Sequence, residues 1–109
     1  MADFLLVSTV APDRETASRL AGSAVKLRLA ASAQVFGPVT SFFWHLGEQG
    51  EGEEWQVLLK TSTARYEELE RHLIAEHVWD NPEVSATALV AGAAPYLRWL
   101  DASTQPATS

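Results

Sequence analysis

The apolar residues of this chain switch between strand spacing and helix spacing in one particular order, and that order leaves few folds open. FLLVSTV, residues 4–10, is a continuous apolar and β-branched run closed by Ala11-Pro12, the pattern of a strand buried on both faces. Ala17, Leu20, Ala21, Ala24 and Leu27 then recur at helical spacing, with Asp13 placed to cap and Glu15 in the first turn. A helix is expected over residues 13–29. Gly22 inside it costs about 1 kcal/mol relative to alanine, which points to something packing closely against that turn.

The period then shortens. Val39, Ser41, Phe43 and His45 alternate with Thr40, Phe42, Trp44 and Leu46, and WQVLLKTS, residues 55–62, returns with Trp55, Val57 and Leu59 on one face. Gly37-Pro38 must mark a bulge, a bend or an edge position, because proline cannot donate to a ladder. GEQGEGEE between the two runs supplies glycines and charges for a turn, so the pair reads as a hairpin. Thr63 is placed to cap a second helix, whose stripe is Tyr66, Leu69, Leu73 and Ile74. Pro82 bars further helix, EVSATALVAG reads as a last strand, and Pro95 opens a short helix through YLRWLDAS. Residues 105–109 have nothing to bury and read as a flexible tail behind a single domain over residues 1–104.

Strand, helix, hairpin, helix, strand is the split βαβ order, so the expected class is α+β: a ferredoxin-like βαββαβ protomer with an antiparallel sheet and a short C-terminal helix. Phe42, Phe43, Trp44 and Trp55 make the hairpin apolar on both faces, more than two helices can cover, and this predicts an oligomer.

Composition narrows the function. With 14 acids against 8 bases and a formal net charge of -6, the chain has no basic stripe to displace phosphate counterions, which argues against nucleic-acid binding. There is no cysteine, so disulfides, thiolate ligands and a cysteine nucleophile are excluded. No apolar run approaches the roughly 20 residues of a membrane span, and the first residues carry an acid where a signal peptide is basic; a cytoplasmic location is expected. No nucleophile elbow, phosphate loop or histidine-rich metal motif appears.

VSTVAPDRETA, LRLAASAQVFGPVTSFFWHLG, VLLKTSTARYEELERHL, HVWDNPEV and LVAGAAPYLRWL occur in that order over residues 4–104. In this order and spacing the chain resembles the CutA family of divalent-ion tolerance proteins. The resemblance implies a tight homotrimer similar in design to the PII signalling proteins, association with copper and other divalent cations, and no established catalytic activity. Where relatives commonly carry a cysteine after the Ala-Ala pair, this chain has Ser32, which removes a soft ligand for copper(I). Relatives tend to read His-Pro-Tyr-Glu-x-Pro-Glu at the helix-strand join. Here His77, Pro82 and Glu83 match, while Val78, Trp79 and Asp80 stand in for the proline, tyrosine and glutamate.

Two roles are open at that join. His77 is either a metal ligand, with Asp80 and Glu83 as hard oxygen donors beside it, or a helix-end histidine bonded to a last-turn carbonyl, with Asp80 serving the turn before Pro82 and Glu83 pairing with a base across a subunit boundary. Trp44, Lys60, Trp79 and Glu83 are the candidate ligand-binding or interface residues. Lys60 matches the family's Lys-Thr pair and is either a solvated strand terminus or a partner for Glu83 or for an anionic ligand, and Trp44 and Trp99 read most simply as interface and core aromatics. Glu48, Glu51, Glu53 and Glu54 lack the alternating ligands of an EF-hand and read as a solvated loop. The functional expectation is a trimeric, non-enzymatic protein that binds divalent cations of the copper type; the alternative is a PII-like scaffold or signalling trimer that takes a small anion or a protein at its inter-subunit clefts.

Overall fold

The computed structural model describes residues 2–106. Its elements are β1 (Phe4–Ala11), α1 (Arg14–Lys26), β2 (Ser32–His45), β3 (Glu48–Ser62), α2 (Tyr66–Glu76), β4 (Val84–Ala88) and α3 (Ala94–Ser103). The four strands form one sheet in the order β2-β3-β1-β4, every neighbouring pair antiparallel. This is the expected ferredoxin-like arrangement.

The side-chain period of two sorts the sheet into faces. Val7, Thr9 and Ala11 of β1 and Val57, Leu59 and Thr61 of β3 are buried, and the register sets Val7 beside Leu59 and Thr9 beside Val57. That face packs on Ala17, Leu20 and Ala24 of α1 and on Leu69 and Leu73 of α2. Leu20, Leu59, Leu69 and Leu73 are fully enclosed, so truncating any one to alanine costs about 2–5 kcal/mol. Thr61 ties its strand to the chain after α1 by donating from Oγ1 to the Leu29 carbonyl at 2.6 Å. Lys60 lies on the opposite face, beside Leu59, where its Nζ stands 6.0 Å from the centre of the Tyr96 ring of α3.

α1 begins as its sequence dictates: the Asp13 carboxylate accepts the Thr16 amide at 2.7 Å. It stops three residues earlier than the expected end at 29. Leu29 N–H reaches back to the Ala24 carbonyl and Arg28 N–H to that of Val25, with Arg28 at φ 60, a Schellman closure with arginine in the left-handed position. Gly22 is exposed, and among the described residues nothing lies within 4 Å of where its Cβ would be, so they supply no close packing there.

The larger corrections concern the hairpin. GEQGEGEE is not a turn: β3 starts at Glu48, and the turn is Leu46-Gly47 alone, with φ 52 and 81, the paired positive values of a two-residue hairpin loop. Glu48, Glu51, Glu53 and Glu54 are therefore strand residues, opposite His45, Phe42, Thr40 and Val39. Gly50 lies under its cross-strand partner Phe43, whose ring would stand 2.5 Å from a Cβ there. The Gly37-Pro38 signal holds in both senses, since β2 is an edge strand and its register shifts between Phe36 and Val39. Thr63 does not cap α2: it starts a 3-10 turn, Thr63–Arg65, and its hydroxyl donates to the Ala2 carbonyl at 2.6 Å.

Because β1 pairs with β3 only as far as Ala11 and Trp55, the outer half of the β2–β3 hairpin extends past the sheet. Its large apolar side chains stay in solvent: Phe42 is 65% exposed, Trp44 78% and Leu46 90%. The tail expected over 105–109 lies in part outside the described residues, at 107–109.

Candidate functional site

The helix-strand join lies where β1 ends, and His77 is what fixes it there. Directly after α2, its backbone is extended rather than helical. Its Nε2 is 2.7 Å from the Val10 carbonyl oxygen, and its Nδ1 is 3.0 Å from the Trp79 amide nitrogen. A carbonyl can only accept and an amide N–H can only donate, so the pair of contacts assigns the tautomer. Nε2 carries the proton and donates it to Val10, while Nδ1 accepts from Trp79. The last-turn carbonyl expected as its partner is not used; the Glu76 carbonyl accepts instead from Arg19 at 3.5 Å. The imidazole also faces the Trp79 indole, with ring centres 5.1 Å apart and planes inclined by 31°.

This geometry bears on metal binding. The only lone pair of a neutral imidazole held this way is on Nδ1, and the Trp79 amide already occupies it. A metal would have to displace that hydrogen bond. Asp80 is exposed, and among the described residues no three histidine or carboxylate side chains converge to hold an ion. Within the described residues of one protomer, a tightly held transition metal finds at most two such donors close together.

The candidate residues separate into groups. Trp44, Trp79 and Asp80 line one cleft of about 860 Å³ between the overhanging hairpin and the join, together with Phe43, His45 and Glu54. His77 stands behind Trp79 and positions it. Glu83, just before β4, accepts from the Ser85 hydroxyl at 3.2 Å. Lys60 is elsewhere: the register places it level with Leu6 and so with Thr87, about 13 Å along the strands from Glu83. Its neighbour is the Tyr96 ring, and among the described residues the one ion pair is Arg65–Glu68 at 2.8 Å. Trp99 is not a core residue; it is 47% exposed and packs against Tyr96 at 5.7 Å between ring centres.

Phe43, His45 and Glu54 were not among the candidates. The cue for Phe43 was its alternation with Trp44, but Glu54 lay hidden in a stretch that read as a loop. A second histidine has a structural use. Ser23 Oγ donates to the Leu20 carbonyl at 3.2 Å, so at 2.8 Å it must accept from His72 Nε2–H, which ties α2 to α1.

Comparison with known proteins agrees with this fold. The family described as CutA1 divalent ion tolerance protein matches residues 5–103. The divalent-cation tolerance protein CutA of Pectobacterium atrosepticum is 33% identical over 103 residues, covering 94% of each chain. A chloroplastic CutA 1 from Oryza sativa is also 33% identical over 101 residues; the alignment takes in 93% of this chain but 57% of that longer protein. Among solved structures, the divalent cation tolerance protein of Thermus thermophilus superposes with a TM-score of 0.91 at 31% identity, over 94% of this chain and 99% of that one. The periplasmic divalent cation tolerance protein CutA of Archaeoglobus fulgidus gives 0.90 at 27% identity, over 94% and 99%.

Proposed function

The chain belongs to the CutA1 divalent ion tolerance family, and from that premise we propose that it acts as a homotrimer that binds divalent cations of the copper type, without catalysing a reaction. The observation that carries the reading is the family match across residues 5–103, supported by relatives whose names state divalent-cation tolerance. Assembly is supported by the overhanging hairpin, whose exposed Phe42, Trp44 and Leu46 would be a liability on a permanent monomer. The proposed unit is the single domain of residues 1–104.

Within it, Asp80 is the accessible oxygen donor. His77 becomes a ligand only if the join opens and Nδ1 releases the Trp79 amide. With no cysteine in the chain, copper(II) and zinc suit such donors better than copper(I). Trp44, Trp79 and Glu83 serve as interface or ligand contacts, and Lys60 as a contact at the other end of the sheet. The proposed location is the cytoplasm. No helix among the described residues is long and apolar enough to cross a membrane, and relatives carry both chloroplastic and periplasmic labels.

Sedimentation equilibrium and calorimetric titration test this together. A trimer mass is expected, with saturable copper(II) binding that weakens at least about tenfold in Asp80→Asn. A monomer mass would overturn the assembly. Copper binding equal in the wild type, Asp80→Asn and His77→Ala would overturn the ligand assignment.

A further inference from the structure

The end of the sheet away from the hairpin arm holds a second cleft, of about 690 Å³, within the range of small-molecule sites. β1 begins there, β3 ends there and α3 passes beside them, so Phe4, Ser62, Leu97, Arg98 and Asp101 line it together with Asp3. None of the residues given above to a metal or to a subunit contact lines it, and Ser62 stands about 26 Å along β3 from Glu54. Two observations mark it as more than a gap. The first is a buried hydroxyl. Ser62 is 6% exposed and, alternating with the core residue Thr61, points to the face that α3 shares. Thr61 and Thr63 donate their hydroxyls to the Leu29 and Ala2 carbonyls, whereas that of Ser62 has no partner among the described residues. The second is unpaired charge. Arg98 and Asp101 lie one turn apart on α3, yet among the described residues the one ion pair is Arg65–Glu68. The guanidinium and the carboxylates of Asp3 and Asp101 thus line the cleft without an ionic partner there, and Asp101 Oδ1 accepts only from the Gln105 amide, at 3.4 Å.

A simple anion would meet two carboxylates here, and a simple cation would meet the guanidinium. A molecule that carries both charges meets both kinds of group. We propose that this cleft binds a free α-amino acid with an apolar side chain. Arg98 takes its carboxylate, Asp3 and Asp101 take its ammonium, and the Ser62 hydroxyl donates to the carboxylate. Residues one turn apart on a helix have their Cβ atoms about 5–6 Å apart, a gap that the two charged groups on one α-carbon can bridge. The side chain of the ligand lies against Phe4 and Leu97, both half-buried. Leu97 is seated in advance on Gly92, where a Cβ would stand 2.9 Å from its Cδ2, so that wall is in place before a ligand arrives. The site rests on neither the metal nor the assembly reading, and each can fail without the other.

L-Leucine is the probe. 4-Methylpentanoate lacks its ammonium and 3-methylbutan-1-amine lacks its carboxylate, while both keep the side chain. The whole protein, isotope-labelled and treated with a chelator so that no metal holds the amino acid, is titrated with each while its amide resonances are followed by NMR. Leucine should give saturable shifts centred on Phe4, Ser62 and Leu97, and each analogue should bind at least about tenfold more weakly. Arg98→Gln and Asp101→Asn, both at exposed positions, should each weaken leucine by about threefold to thirtyfold. Equal binding of leucine and both analogues would make the cleft a neutral apolar slot. Undiminished leucine binding in both variants, or shifts centred on another part of the fold, would place the amino acid outside the cleft. No saturation up to about 50 mM leucine would remove the site. Any of these results overturns the proposal.

Discussion

Replacing His77 with alanine separates a structural histidine from a metal ligand, and the structure sets the size of the effect. The substitution removes the bond to the Val10 carbonyl at 2.7 Å, the bond from the Trp79 amide at 3.0 Å, and the ring contact with Trp79. At about 1 kcal/mol for each of these, the expected loss is about 3 kcal/mol. With a urea dependence of about 1.5 kcal/mol per molar, the unfolding midpoint should fall by about 2 M. The assay is equilibrium urea unfolding followed by circular dichroism, at one protein concentration, with and without a chelator. Since all three contacts lie inside one protomer and involve no ion, the loss should be the same in both conditions. A loss under about 1 kcal/mol, or one that appears only when metal is present, would refute the structural assignment of His77.

Gly22→Ala should stabilise the protein by about 1 kcal/mol, or roughly 4–8 °C in a thermal melt, because the position is helical, exposed and open around the missing Cβ. Thr9→Val should raise urea stability by about 1 kcal/mol: the Thr9 side chain is fully buried, its hydroxyl has no partner among the described residues, and valine has the same shape. A loss of similar size there would mean the hydroxyl is paired after all. Burial, and after it the charge of Glu70, raise the Tyr66 phenol above its ordinary value. The folded state therefore favours the protonated ring, and the stability it contributes is complete below the unfolded pKa of about 10 and is lost as pH rises through the folded value. Urea midpoints measured from about pH 8 to 11 should fall more steeply for the wild type than for Tyr66→Phe.

The helices and the first strand were legible because their apolar residues recur at the spacing of the element that buries them. Leu20 and Ala24, or Leu69 and Leu73, could face one core in no other conformation. The outer half of β3 was not legible. Its glycines and glutamates are poor strand formers, and its strand character comes from β2 across the ladder, where the Phe43 ring fills the space above Gly50. Nor did Leu46-Gly47 announce the turn, since leucine is an unusual residue at positive φ. At the join, Pro82 and the end of α2 could be read directly, but the Val10 carbonyl that holds His77 lies 67 residues away. The cleft combined both difficulties: Trp44, Trp79 and Asp80 stood out as residue types, while Glu54 joined them only once its segment became a strand.

The acids of β3 also govern what the exposed arm can stick to. Glu51 and Glu53 lie across the ladder from Phe42 and Thr40, and Glu48 and Glu54 from His45 and Val39, so carboxylates are spread along the whole exposed strand pair. Two such arms sliding together edge to edge would bring carboxylates against carboxylates over much of their length. At neutral pH that repulsion opposes open-ended growth of one sheet into the next, while a partner surface that offers cations or hydrogen-bond donors escapes it. A newly made chain can thus carry bare tryptophan and phenylalanine through dilute solution. The arm resists stacking on its own likeness, and replacing Glu48, Glu51, Glu53 and Glu54 with glutamine should turn that restraint into precipitation.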